Sequence, residues 1–442
     1  MIHKKLLCSL FLLCSLLVTA CSPKTQVVDG PGLDDIKNEL VNQLDVEKIY
    51  ATAEELTKEP RVAGTESEKQ AAAFLTEQLE DYGYEVDVQP FNFERYVMPT
   101  TTSLQVANVD ETFSPAPFQY TVSGNIKGEL IDVGYGLEKD YSQINTTGKI
   151  AIVTVDNTYF SELVLNASKA GAAAILIHFP AEYPIDNWTL GEHDDAFIPA
   201  LAVSHDDSTK LRKLMNDKGP LHATVTVEGS RVEQAESQNL MVTKQPATKK
   251  DTSDDIVIIG AHYDSVDQAP GASDNASGTS VVLELARMFK DVSINKELRI
   301  LFFGAEEEGL YGSEKYVSAM TEDEIKRSVA MFNLDMVGNA DAGDLAIQTV
   351  DGMDNTATIV ASKAHEELNG DAIWTDFGDR SDHTPFHEAG IDAALFIYFP
   401  LEESYHLPED TVDRLSKDRL LDVAKIVAKS SLELTLPDNN KK

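Results

Sequence analysis

Apolar and polar positions along the chain follow two periods. Residues 33–58 carry Ile36, Leu40, Leu44, Ile49, Ala53 and Leu56 at helical spacing, with a break expected near Asp45. Ala71, Ala72, Phe74, Leu75 and Leu79 form the stripe of a second helix starting at Thr65. There Thr65 and Glu68 make a capping-box pattern, and Gly83 sits where a helix-ending glycine belongs. Tyr84, Val86 and Val88 then alternate with Glu85, Asp87 and Gln89. That is a half-buried strand, which Pro90 either ends or confines to a sheet edge.

The middle of the chain reads as strand 148–155, helix 159–170 and strand 172–179, a βαβ unit whose second strand is an unbroken apolar run. From about Ala235 the pattern changes again. Strands are expected at 239–243, 256–261, 298–303, 330–336 and 393–399. Helices are expected at 276–290, 314–320, 322–328, 355–368, 385–389 and 412–434. Strands alternating with helices predict an α/β fold, a largely parallel mixed sheet sandwiched by helices, with a smaller α/β domain inserted. The boundaries read as 33–110 for the first part of the main domain, 111–230 for the insert and 231–437 for the remainder.

Residues 1–32 have a different character. Lys4 and Lys5 precede an apolar stretch, residues 6–18, that is short for a spanning helix. It reads as a signal peptide over 1–20, with a cut nearby or an uncleaved anchor as the alternatives. Val18-Thr19-Ala20-Cys21 resembles a bacterial lipobox, which implies lipidation of Cys21, a tether over 21–32 and an extracytoplasmic, membrane-anchored lipoprotein of the cell envelope. Cys8, Cys14 and Cys21 are the chain's three cysteines. A chain cut at Cys21 keeps one thiol, and so has neither an internal disulfide nor a thiolate metal site.

Composition narrows the partners. The 442 residues suffice for two or three domains, and the net charge of −37 argues against nucleic acid and against an anionic membrane surface as electrostatic partners. The sequence leaves the oligomeric state open.

Chemistry gathers where strands end. His262 follows one apolar run, Glu306 and Glu307 follow another, Asp335 ends a third and His406 comes after a fourth. Asp274 sits in a loop between Gly271 and Gly278. In α/β sheets, ligands bind at the carboxyl ends of strands. Neighbouring carboxylates there repel unless a cation lies between them, and two adjacent acids suit a division in which one binds metal and the other moves a proton. Imidazole and carboxylate donors suit zinc. Asp264, two residues after His262, can orient that imidazole. His178, His193, His205 and His222 have no such company and read as surface or packing residues. The pair His383 and His387, four apart, could share a helix face. Asp382 and His383 read as supporting or packing residues. Trp374 and Phe377 are candidates for pocket lining.

Six segments, residues 260–265, 271–278, 305–313, 333–338, 380–386 and 405–411, resemble the di-zinc aminopeptidase family of bacterial secreted leucyl aminopeptidases, distant kin of glutamate carboxypeptidase II. Residues 60–65 resemble the family's start. The segments 148–153 and 166–172 resemble the protease-associated domain, a non-catalytic insert. The resemblance implies a zinc-peptidase fold and two Zn²⁺ per chain. Asp274 would bridge the ions, His262 and Asp335 would complete one shell, and Glu307 and His406 the other. It further implies Glu306 as general base, Tyr405 as a stabiliser of the tetrahedral intermediate, and the Arg380 carbonyl as a contact for the substrate's amine. Glu308 gets no role. The Asp274–Asn275 peptide is expected to be cis. The implied activity is release of N-terminal amino acids from peptides. A carboxypeptidase on the same scaffold would want cationic groups for the substrate's carboxylate, and Arg380 is the one arginine in these segments. A non-catalytic receptor-like binding protein and a one-zinc glutaminyl cyclase are the other relatives of this architecture.

Overall fold

In a computed structural model of the chain, the described residues are 32–247 and 253–436, apart from Glu182, Pro184, Asp186, Asn187 and Glu192. The expected signal peptide, Cys21 and nearly all of the tether lie outside them. No helix among the described residues is long and apolar enough to cross a membrane.

The larger sheet has eight strands in the spatial order Asp87–Val97, Arg231–Lys244, Glu297–Phe303, Ile256–His262, Ser328–Leu334, Ala393–Phe399, Asp344–Thr349 and Thr375–Phe377. The four central strands, Glu297–Phe303 to Ala393–Phe399, run parallel. Arg231–Lys244 and Asp344–Thr349 flank them antiparallel. Side chains alternate across the sheet, so a strand buried on both faces must be apolar throughout. Val257, Ile259 and Ala261 accordingly enter one core with Val281, Leu285 and Phe289 of the helix Gly278–Phe289 and with Val423 and Ile426 of the helix Lys417–Thr435. Ile256 and Ile258 enter the other core with Phe303, Tyr316 and Phe386. This is the expected mixed, largely parallel sheet between helices.

The second unit is an insertion in the geometric sense. Val97 and Arg231 are register partners at the ends of two long paired strands, so the chain leaves and returns at one point. Seven strands form its sheet, in the order Thr101–Val106, His222–Glu228, Gly124–Gly134, Ile150–Thr154, Ala174–His178, Ala200–Val203 and Ala116–Pro117. Thr101–Val106 pairs with His222–Glu228, so the insert begins before residue 101 rather than at 111. Only Leu104 and Val106 of that strand are buried, which leaves too faint an alternation to be read from the sequence.

Several local expectations are refined. The first helix is two, Leu33–Val41 and Val46–Leu56, with Asp45 at the break accepting from the Glu47 N–H at 3.0 Å. Pro90 lies inside Asp87–Val97, which is tolerated because that strand is the sheet edge. The capping box at Thr65 does not form. Glu68 instead accepts from the Gly64 N–H at 2.7 Å and from the Ser237 hydroxyl on the neighbouring sheet, while the Thr65 hydroxyl donates to Val62 O at 2.6 Å. A buried carboxylate gains more from two donors, one of them tertiary, than from its own helix end. The last helix starts at Lys417, not 412, after a single tight turn at Val412–Arg414.

One glycine sets how closely the helix after Asp274 approaches the sheet. A Cβ on Gly278 would lie 2.2 Å from the Leu334 carbonyl oxygen and 2.5 Å from Asn275 Oδ1. Gly278→Ala should therefore destabilise the protein by about 1–3 kcal/mol, as overpacking in a filled core does. Denaturant unfolding measures this directly; an unchanged midpoint would show that the helix can shift freely.

Candidate metal centre

The parallel register brings the chemistry to one edge. His262 pairs with Phe303 across one strand boundary, and Gly260 with Asn333 across the other. The residues that follow, Glu306, Glu307 and Asp335, emerge on the same side. Asp274 arrives from the loop before Gly278–Phe289, and His406 from the loop after Ala393–Phe399.

Asp274 is the centre of the arrangement. Its Oδ1 lies 3.2 Å from His262 Nε2, and its Oδ2 lies 3.1 Å from His406 Nε2. Each imidazole has further acid company. His262 Nε2 is 3.4 Å from Asp335 Oδ1 and 3.9 Å from Glu306 Oε2, while His406 Nε2 is 3.1 Å from Glu307 Oε2. The adjacent glutamates thus diverge. The donor atoms form two clusters, His262–Glu306–Asp335 and Asp274–Glu307–His406. Asp274–Asn275 is a cis peptide.

A supporting layer holds these side chains. Both oxygens of Asp410 accept backbone N–H groups, from Ser273 at 2.8 Å and Asp274 at 3.1 Å. Both oxygens of Asp264 do the same for Glu306 (3.1 Å) and Glu307 (3.2 Å). Asp264 Oδ1 also stands 3.6 Å from His262 Nδ1, a buried pairing on the side of the ring away from Asp274. Ser381 donates to Asp335 Oδ2 at 2.7 Å and accepts from Asn333 at 2.7 Å. The buried Arg61 guanidinium donates to the carbonyls of Leu56, Tyr263, Pro270 and Gly271 at 2.7–2.9 Å. Ala305, Met336 and His406 all have φ near +55° to +58°, rare for residues with side chains, and each is a donor residue or its direct neighbour.

The electrostatics show what this cluster needs. Burial, reinforced by Asp274, pushes Glu307 up to about 7. Burial, with Asp382, Asp335 and Glu307 adding to it, drives Glu306 well above the carboxylate range. Burial opposes charge on His406, yet Glu307 and Asp274 outweigh it and hold the imidazole up to about 11. Asp274 resists its burial because both imidazoles donate to it, and it stays well below its ordinary value. Without a cation, burial and mutual repulsion press both glutamates toward their neutral forms. Glu307 Oε1 is buried and has no partner at all. Oxygen and nitrogen donors with surplus negative charge, split into two clusters around one shared carboxylate, fit divalent cations of the zinc type.

The remaining candidate residues separate clearly. The Tyr405 ring stacks on His406 at 3.8 Å, and burial among the carboxylates raises its phenol. Arg380 is exposed, next to Ser381. Asp382 is buried with neither oxygen partnered, beside the donors. His383 is a packing residue whose Nε2–H donates to Gly378 O at 2.8 Å. Trp374 and Phe377 are exposed and do not line the cleft that reaches the site. In the insert, burial, reinforced by Arg212, lowers His178 to about 4, and its Nδ1 accepts from Arg212 at 3.0 Å while its Nε2 lies 3.3 Å from His205 Nδ1, away from any acid cluster. Glu308, given no role from the sequence, lines the cleft and accepts from the Tyr96 N–H at 3.4 Å. Sequence reasoning missed Arg61 and Asp410 as supports. For the first, the available signal was a lone arginine between Pro60 and the apolar pair Val62 and Ala63. For the second it was an acid four residues after His406.

Asp410 gives a direct test. Asp410→Ala strands two buried N–H groups and should cost about 1.5–3 kcal/mol, the worth of hydrogen bonds to a charged acceptor. Asp410→Asn, which keeps one acceptor, should cost less. Unfolding in denaturant compares the two, and equal losses would mean that Asp410 acts through packing alone.

Comparison with known proteins agrees with this geometry. Residues 239–431 match the profile of peptidase family M28, and residues 123–211 match the PA domain. Aminopeptidase YwaD of Bacillus subtilis is 35% identical over 399 residues, covering 87% of this chain and 84% of that protein. An aminopeptidase from Aneurinibacillus sp. strain AM-1 superposes with a TM-score of 0.83 at 40% identity, over 91% of this chain and 97% of the other. BSAP, a zinc aminopeptidase from Bacillus subtilis, does so with a TM-score of 0.75 at 35% identity, over 89% and 96%.

Proposed function

This chain belongs to peptidase family M28 and is a zinc-dependent aminopeptidase, and we propose that it holds two zinc ions and uses Glu306 as general base. The observation that carries this reading is Asp274, whose two oxygens reach two separate imidazoles at 3.2 and 3.1 Å. His262 and Asp335 would complete one shell, and Glu307 and His406 the other. Zinc bound there would supply Lewis acidity toward the scissile carbonyl and toward water. The chain's own part is positioning and proton transfer. Glu306, which lies within the first cluster but takes no place in either proposed shell, would take a proton from the attacking water and return it to the leaving amine. Tyr405, stacked on His406, would donate toward the developing oxyanion, and the Arg380 carbonyl would accept from the substrate's ammonium. Carboxylates around the centre favour a free amine over a free carboxylate as the anchored terminus, which argues against the carboxypeptidase alternative. Attachment to a membrane through Cys21 belongs to the same proposal and rests on the lipobox-like sequence alone.

Replacing Glu306 with Gln removes the proton acceptor and preserves size. Glu306→Gln should retain two zinc ions by elemental analysis while kcat falls by about 10²-fold or more. Asp274→Ala should lose both ions. Near-normal turnover in Glu306→Gln, or one ion in the wild-type protein after zinc reconstitution, would refute the assignment.

Cys21 is tested separately. Two or more acyl chains anchor a protein stably, so the wild-type protein should partition with detergent and Cys21→Ser should stay in the aqueous phase. Identical partitioning of the two would exclude lipidation at that residue.

A further inference from the structure

The cleft that reaches the metal centre is not built by the M28 unit alone. A cavity of about 420 Å³ opens on Glu307 and His406, and its far wall is Pro117, Gln119 and Trp188 of the insert. The two units are bolted together beside it. Tyr96 at the end of the edge strand donates its hydroxyl to Thr121 O at 2.7 Å and packs its ring 4.9 Å from Tyr120. The wall is therefore held at a fixed distance from the site.

Trp188 is set in that wall as a rigid element. Its indole meets Phe160 edge-on at 5.5 Å and Phe179 at 5.3 Å, and its carbonyl accepts from the Gln119 N–H at 2.9 Å. The residue is half-buried and lines the cleft. A large aromatic already immobilised by its neighbours offers contact area at little entropic cost.

An exopeptidase that removes one residue needs a closed pocket for that residue and an open path for everything after it. The cleft supplies such a path from Glu307 and His406 to the insert. Its charge also discriminates. Asp267 and Glu308 line it, and Arg95 is already held by Glu233 at 2.8 Å. A free carboxylate close behind the scissile bond meets two acids there against one arginine, whose charge Glu233 already offsets.

We propose that this cleft binds the substrate beyond the scissile bond and that Trp188 is a specificity-determining residue on its wall, favouring extended peptides with an apolar side chain downstream over dipeptides. The inference rests on the aminopeptidase reading and names the substrate class for it.

The test is kcat/KM of the zinc-loaded enzyme on leucine p-nitroanilide, on Leu-Gly, and on the pentapeptides Leu-Gly-Phe-Gly-Gly and Leu-Gly-Gly-Gly-Gly. The wild-type enzyme should prefer the Phe-containing pentapeptide over both other peptides. Trp188→Ala should lower the ratio of that pentapeptide to the anilide at least fivefold, chiefly through KM. Gln119→Ala, on the same wall but outside the aromatic packing, should shift the ratio the same way. Tyr159→Ala, exposed on the insert and outside the cleft lining, should leave it unchanged. An unchanged ratio in both cleft variants overturns the proposal. So does a Trp188→Ala enzyme whose preference among anilides of different first residues has changed, since the cleft would then hold the first side chain. A wild-type protein that cleaves none of these substrates refutes the aminopeptidase reading itself.

Discussion

Crowded negative charge is the constraint on which this structure depends. Asp274, Glu306, Glu307 and Asp335 meet at one buried sheet edge, with Asp264, Asp382 and Asp410 packed around them. Like charges that close, in a medium of low dielectric, cost far more than they would in water. Two imidazoles offset part of that cost, and the remainder appears as carboxyl groups pushed toward neutrality. A site left in that condition by its own protein is suited to receive cations.

The supporting residues are arranged to leave the inner carboxylates free. Arg61 places a full positive charge in the field of Asp264, Asp410 and Asp274, yet directs its donors to four backbone carbonyls. Its charge moderates the cluster without occupying a donor oxygen. Asp264 and Asp410 work in the opposite sense, turning their oxygens to backbone N–H groups and so fixing the loops that carry Glu306, Glu307 and Asp274. Two outer acids thereby act as structural acceptors, while the inner ones keep unclaimed oxygens such as Glu307 Oε1.

The insert changes what this centre can meet. Because it leaves and re-enters at the paired residues Val97 and Arg231, it stands against the open side of the site without interrupting the central strands. A second α/β unit with its own two cores can thus form the far side of the cleft while the parallel strands keep the donors in register.

The central strands, the helices between them and the donor residues were legible in the sequence. Doubly buried strands must be continuous apolar runs, and a polar or acidic residue where such a run stops has few places to be but the sheet edge. Weakly amphipathic pieces were not legible. Thr101–Val106 and Thr375–Phe377 bury too little of their own surface to announce themselves, and pairing with neighbours defines them. The direction of a buried carboxylate was likewise beyond reach. Glu68 forsakes its helix cap for Ser237, Asp264 takes two backbone donors while also facing His262, and Glu308 turns out to face a cleft shared with the insert. The sequence by itself determined which residue types stand at the ends of which strands, because burial imposes that pattern locally. Only the tertiary structure decided which donor each acid meets and which domain faces the centre, because those depend on the nearest partner in space, and that partner here lies tens to hundreds of residues away in the chain.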